Sequence, residues 1–344
     1  AFLFAGDDGV GRRTTALALA RTLLCEAPGS DASVRQACGV CPSCRMMDAG
    51  SHPDFQLIYK ELARYHDDAN VRSRVMQDLG IDVIRSFLIA PAGRSASQGR
   101  GKVFVVLEAD LMSRGAQNSL LKTLEEPPEG VTIILVSRRP EQLLPTTLSR
   151  CSMIRFGPLP REFVESKLRE ADVSADEARF WSAYTGGSAG RAMKLAADGM
   201  YEVKRDLLDR LAAVTGAGDA ELSEHLAKVT DDLAKQAVAA AKKDDGAALS
   251  KTLASRRAAG AMLELIASAF RDALARATGA EMPAVHADQT QAVAALAERF
   301  DPTQLAEVLE QLSEYERLLW RNVNPKVVWD NVVITCASAA PLRL

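Results

Sequence analysis

Long apolar runs are absent from this 344-residue chain. None approaches the ~18 residues that a membrane span requires. The opening AFLFAG is too short for a secretory signal, and too quickly followed by Asp7 and Asp8. A membrane role is therefore not expected, and the expected location is the cytoplasm. Because the chain starts inside a strand-like run, further residues are expected upstream. An excess of one charge is also missing: net charge is −3, from 42 Lys and Arg against 45 Asp and Glu. That excludes a globally basic nucleic-acid binder and leaves only local basic patches. Apolar residues are plentiful at 47%, enough for a sizeable core. The length suits two or three domains.

A lysine is lacking where one would count most. GDDGVGRRTT, residues 6–15, lies between an apolar strand candidate and a helical stretch, where a phosphate-binding loop belongs. The pattern for such a loop is G-x-x-x-x-G-K-[ST]. Counted from Gly6 and Gly11, Arg12 fills the lysine slot and Arg13 the hydroxyl slot. Shifting by one brings Thr14 into the hydroxyl slot but puts Asp7 and Arg12 in place of both glycines. The second half of a nucleotide site is also defective. An NTPase holds magnesium with a carboxylate at a strand end, yet VFVVLEAD carries Leu107 in the aspartate slot and Glu108 in the next. Leucine offers no oxygen to a hard cation. Two defects in one site indicate lost hydrolysis, with Arg12 still able to touch a phosphate as a planar fork. The plain reading of Glu108 and Asp110 is a solvated strand end that caps the next helix.

Up to about residue 156 the pattern alternates. FLFA, DFQLIY, KVFVVL, TIILVS and the shorter SMIRF read as strands, with helices at 14–24, roughly 81–90 and 113–125. Short continuous apolar strands separated by helices predict a parallel sheet covered on both faces. Residues 60–80 read as a charged loop or solvated helix, and 92–101 as a flexible Gly/Ser/Arg-rich loop. After GPLP the texture changes: small helices over 157–205, then an Ala/Leu/Glu/Lys/Arg-rich helical bundle over 206–344. Four of the six cysteines, Cys25, Cys38, Cys41 and Cys44, follow the spacing C-x12-C-x2-C-x2-C. Two C-x2-C steps turned by Gly39 and Pro42 suit a closed, structural four-thiolate zinc site within about residues 25–50, against the plainer reading of unliganded thiols. Cys151 and Cys336 read as ordinary core residues.

NSLLKTLEEPPEGVTIILVSRRPEQLLPTTLSRC resembles the AAA+ clamp-loader subunits of bacterial DNA polymerase III, and the tetracysteine segment followed by AGSHPDF is shared with that family. The resemblance covers residues 1 to about 200 and continues weakly into RLLWRNVNPKVVWDNVV, similar to the final collar helices. It implies an AAA+ α/β domain over 1–156 with a zinc module, a small helical lid over 157–205 and an all-α collar over 206–344. It further implies that Arg150, in Ser149-Arg150-Cys151, is an arginine finger serving a neighbour's ATP. Arg191, in GGSAGRA, stands where the family has a second-sensor arginine, with a purely structural role as the alternative. Arg138 and Arg139 lie near the first-sensor position without matching it clearly. Gly6, Gly11, Arg12 and Thr14 become remnants of a nucleotide site for which ATP binding is doubtful. The implied partners are the gamma/tau ATPase subunits and the delta subunit in a hetero-pentamer, with sliding clamp and primed DNA met through the complex.

The favoured expectation is thus a non-hydrolysing stator subunit. Two alternatives stay open: an ATP-hydrolysing motor subunit using Arg12 and Glu108, and a stand-alone zinc-containing DNA-binding protein, which the near-neutral charge disfavours. The stretch Leu305–Val333, with Leu312, Leu319 and Trp320 on or near one stripe, is the expected oligomer contact; its alternative is packing within its own bundle.

Overall fold

The computed structural model describes residues 1–31, 34–73, 78–214, 220–243, 249–321 and 323–338. Parts of three expected segments lie outside the described residues: 32–33 of the zinc module, 74–77 of the charged stretch, and 215–219, 244–248, 322 and 339–344 of the helical C-terminal part. The chain divides into two units: Ala1–Leu159 together with Ser188–Gly190, and Pro160–Gly187 together with Arg191–Leu344.

The first unit is built on a parallel sheet. In chain order its strands are β1 (Phe2–Gly6), β2 (Gly29–Asp31), β3 (Val34–Gln36), β4 (Phe55–Ile58), β5 (Lys102–Val106), β6 (Val131–Ser137) and β7 (Ser152–Phe156). Five of them form one sheet in the order β4-β5-β6-β1-β7, every pairing parallel. Each of these five was legible as an apolar run. Side chains alternate between two cores, as period-2 strands require. Leu3, Phe104, Val106, Ile133 and Leu135 face one core with Leu88 and Leu120, while Phe4, Val103, Val105, Ile134 and Val136 face the other with Ala16, Ala20 and Leu24. The interior strand β5 is buried along its whole length, while the edge strand β7 is mostly exposed.

Helix α1 (Arg12–Leu24) follows β1 directly, and the seven-residue α2 (Pro42–Asp48) follows the short β2–β3 hairpin. The helix Arg114–Glu125 starts at Ser113, whose side chain accepts from the Ala116 N–H, and stops ahead of Pro127 and Pro128. Residues 60–72 form a 3-10 helix, Lys60–Tyr65, and a single helical turn, Ala69–Arg72.

The second unit is all helical among the described residues. It opens with Arg161–Glu170 and Ala175–Tyr184, and its later part contains Ala220–Lys243, Lys251–Thr278, Thr290–Arg299, Pro302–Trp320 and Pro325–Ser338. Pro302–Trp320 begins with a full capping box between Asp301 and Gln304. Leu312 and Leu319 are buried within this unit, whereas Trp320 is 52% exposed, with the Arg256 guanidinium 6.0 Å from its ring centre. One residue along a helix turns the side chain by about 100°, which takes Trp320 off the stripe. Cys336 is buried, and burial pushes its thiol up to about 12. Cys151 packs at the edge of the first core. Among the described residues no helix is long and apolar enough to cross a membrane.

Candidate functional site

The loop between β1 and α1 is built by its glycines, but not all for phosphate. A Cβ on Gly6 would lie 2.3 Å from the Phe156 carbonyl oxygen, so the close approach of β7 demands glycine there. Gly11 is the N-cap of α1 in a left-handed conformation, φ 92°. Arg12, in the lysine slot, is buried, and its guanidinium donates to Asp8 Oδ1 at 2.7 Å. The other Asp8 oxygen is 3.2 Å from Arg138 NH1. The loop thus neutralises its arginine with its own carboxylate. Ser188–Gly190, part of this same unit, lies against the loop: Ser188 Oγ donates to the Asp8 carbonyl at 2.7 Å and the Gly190 N–H to the Gly9 carbonyl at 3.0 Å. A Cβ on Gly190 would stand 2.8 Å from Gly9 Cα. Thr14 is exposed in the first turn of α1.

At the end of β5, Leu107 contributes no oxygen, and Glu108 is an exposed left-handed residue, φ 50°, 3.5 Å from Lys60 Nζ. Asp110 departs from the helix-capping expectation, because Ser113 does the capping. Its carboxylate is instead nearly buried, accepting from Ser137 Oγ at 3.0 Å and from the Arg138 N–H at 3.1 Å. It ties the ends of β5 and β6 together.

The four early cysteines converge. Cys25 ends α1, Cys41 caps α2 and Cys44 lies in its first turn. All four Sγ atoms lie within 4.8 Å of one another, and Cys25 and Cys41 are 3.9 Å apart. Sulfurs at ~2.3 Å around a tetrahedral zinc would stand roughly 3.8 Å apart, so the cluster fits such an ion. The N–H groups of Cys38, Cys41 and Cys44 point at the sulfurs of Cys25, Cys38 and Cys41, at 3.3, 3.3 and 3.4 Å. The thiols differ. Burial pushes Cys44 up to about 12. For Cys41, burial is outweighed by the backbone N–H groups and neighbouring thiols that bring it down to about 6. Backbone N–H groups also lower Cys38. Four soft sulfur ligands with ready stabilisation of thiolate can hold a metal ion, with no ligand position left for substrate.

The two motif arginines are both engaged. Arg150 NH2 is 3.2 Å from Glu125 Oε2, and NH1 donates to the Thr146 carbonyl at 3.0 Å. In the helical unit, the Arg191 guanidinium pairs with Glu264 and lies 5.3 Å from the centre of the Tyr184 ring.

Residues 1–160 match the family model described as DNA polymerase III, delta subunit, and residues 230–335 the one described as DNA polymerase III, delta subunit, C terminal. Together they cover well over half of the chain. The chain belongs to the DNA polymerase III delta-subunit family. It is 32% identical over 220 residues to DNA polymerase III subunit delta' of Escherichia coli (strain K12), covering 64% of this chain and 61% of that protein. The figures for subunit delta' of Bacillus subtilis (strain 168) are 30% over 214 residues, 62% and 59%. Subunit tau of Escherichia coli (strain K12) is 33% identical over 227 residues, 65% of this chain but 30% of that protein. The chain thus spans about three-fifths of the delta' relatives it matches. A five-stranded parallel sheet followed by an all-helical unit is the AAA+ clamp-loader architecture that the resemblance implied.

For this member of the DNA polymerase III delta-subunit family, Asp8 was the residue that sequence reasoning passed over. Its signal was present: a carboxylate four residues before an arginine at a helix start. Ser188 and Gly190 carried no such signal, because their partners lie far away in sequence.

Proposed function

We propose that the chain is a non-hydrolysing structural subunit of the bacterial DNA polymerase III clamp loader, a delta-prime-type stator. In this reading it presents Arg150 to ATP held by a neighbouring subunit while the sliding clamp is loaded onto primed DNA. One observation carries the reading: Arg12, which would meet a phosphate, is buried against Asp8 of its own loop, 2.7 Å away. A nucleotide would have to displace that carboxylate and bring like charge beside it. Leu107 and Arg13, in the positions of magnesium-binding residues, support the same conclusion. Arg150 is free to serve in trans because its pair with Glu125, whose side chain is 58% exposed, costs ~1 kcal/mol or less to break.

In the same reading residues 1–156, 157–205 and 206–344 act as AAA+ domain, lid and collar. Arg191 is a structural remnant of a lid sensor. Cys25, Cys38, Cys41 and Cys44 hold a structural zinc, which crosslinks the end of α1 to α2. The partners are gamma/tau and delta subunits in a hetero-pentamer acting in the cytoplasm. The similarity to tau favours one second reading, a motor subunit that uses Arg12 and Glu108. Equilibrium dialysis with ATP and magnesium, then phosphate release by the isolated chain, separates the two. The stator neither retains ATP nor releases phosphate; a rate abolished by Glu108→Gln establishes the motor.

A further inference from the structure

A buried hydrogen-bonded chain leaves the cysteine cluster and ends on the Arg-bearing loop 93–101. Ser43 lies in α2 between Cys41 and Cys44 and is 1% exposed. Its hydroxyl donates to the Leu24 carbonyl at 2.7 Å and meets His52 Nε2 at 2.9 Å. His52 is itself buried, and its Nδ1 accepts from the Asp54 N–H at 3.1 Å. An accepting Nδ1 puts the proton of the neutral ring on Nε2, which therefore donates to Ser43. Every polar atom along this path has a partner. Asp54 is 3% exposed, and its two carboxylate oxygens accept from the Ser97 and Gln98 N–H groups at 2.8 and 2.7 Å. A second tether runs alongside, from the Arg100 guanidinium to the carbonyl of Glu26, the residue after Cys25. The Glu26 side chain in turn accepts from the Ser43 N–H at 3.1 Å.

The loop has little regular structure of its own to hold it, and residues 97–100 are exposed. Its far end is tightly fixed: a Cβ on Gly101 would lie 2.2 Å from the Gly130 carbonyl oxygen. Residues 97–100 before it are held by the Asp54 carboxylate and the Glu26 carbonyl; the Asp54 backbone is fixed both by His52 and by its carbonyl, which accepts from the Val103 N–H of β5 at 2.9 Å. Helix α2 has seven residues, far below the length at which a helix is stable alone, so its position rests on its contacts: the cysteine cluster, the Arg21–Asp48 ion pair and Met47 packed on the second core.

We propose that metal occupancy of the four-cysteine cluster sets the conformation of loop 93–101, through Ser43, His52 and Asp54. The proposal rests on the reading of the cysteines as a metal site. Metal fixes α2, α2 fixes the Ser43 hydroxyl, and that hydroxyl orients the His52 ring on which the Asp54 backbone rests. Ser43, His52 and Asp54 are positioning residues. The consequence is a loop bearing Arg94 and Arg100 that is ordered only when the cluster is filled.

Hydrogen exchange of the full chain, read by mass spectrometry, tests this in the zinc-loaded form and after chelation, with zinc measured per chain in both. The amides of Ser97 and Gln98 are expected to exchange slowly when one zinc is bound. Stripping should accelerate them about ten- to a hundredfold, the loss of charge-assisted hydrogen bonds, while Phe104–Val106 in β5 stay protected. His52→Asn should accelerate the same two amides with zinc still bound, as should Asp54→Asn. The proposal is overturned if chelation leaves Ser97 and Gln98 unchanged while Asp54→Asn accelerates them, or if β5 loses protection together with the loop. A chain that takes up no zinc overturns the metal-site reading itself, an outcome that the zinc measurement alone distinguishes.

Discussion

His286 makes the stability of the helical unit depend on pH, and the dependence can be worked out. The side chain is 1% exposed, its Nε2 lies 2.8 Å from Ser268 Oγ, and its ring lies 5.2 Å from that of Phe180. Burial is the largest cause that brings its pKa down to about 3; Lys204 and Arg271 lower it further, and Asp288 opposes them. The folded value lies below the unfolded one of 6.5, so between the two the unfolded chain binds the extra proton. Stability therefore falls as pH drops from about 6.5 towards 3. Between pH 7 and pH 4 the loss is ~3 kcal/mol at 1.36 kcal/mol per pKa unit. Asp272 works the other way, since burial raises its carboxyl and favours its protonated form on folding. Comparison with His286→Gln isolates the histidine. All three tryptophans, Trp181, Trp320 and Trp329, lie in the helical unit, so urea unfolding followed by tryptophan fluorescence reports on it. The wild-type midpoint should fall more steeply than the variant's, by roughly 1–3 M urea between the two pH values for ordinary m-values. Parallel shifts in wild type and variant would refute the argument.

Elemental analysis of metal-replete protein should find one zinc per chain, and Cys41→Ser should abolish it while loosening residues 25–50 and sparing the main sheet. Gly6→Ala should cost about 1–3 kcal/mol in urea unfolding, because its Cβ would stand 2.3 Å from the Phe156 oxygen; an unchanged midpoint would show that β1 and β7 are not so closely joined. A chain ending near residue 205 should fail to co-purify with the ATPase subunits, whereas undiminished assembly would remove the collar from the account.

The sheet was legible because its strands are short apolar runs, the interior ones β5, β6 and β1 buried on both faces. The β2–β3 hairpin was not, since GSD and VRQ show no apolar alternation and the hairpin lies inside the long gap between Cys25 and Cys38. The cysteine cluster was readable from spacing alone, because two C-x2-C steps confine the thiols locally. The relay behind it was not: Asp54 bonds to residues 43 and 44 positions away, and such pairings leave no local pattern. Asp110 looked like a helix cap from its place after β5, yet it faces Ser137, which chain order does not bring near. The defects in the nucleotide loop were plain in sequence. The internal carboxylate that answers Arg12 stood four residues before it and was readable there too, although it was passed over.

The central claim is that this chain hydrolyses nothing itself and lends Arg150 to a neighbour. The most direct measurement is the ATP hydrolysis rate of the clamp loader reconstituted with wild-type chain, Arg150→Ala or Arg150→Lys, after assembly of each complex is verified. A guanidinium offers a planar fork that lysine lacks, and arginine fingers contribute on the order of a thousandfold or more at the site they serve. The account predicts full assembly and a lowered rate with alanine, diluted by the other active sites, with little rescue by lysine. Normal assembly together with a wild-type rate for Arg150→Ala would contradict it.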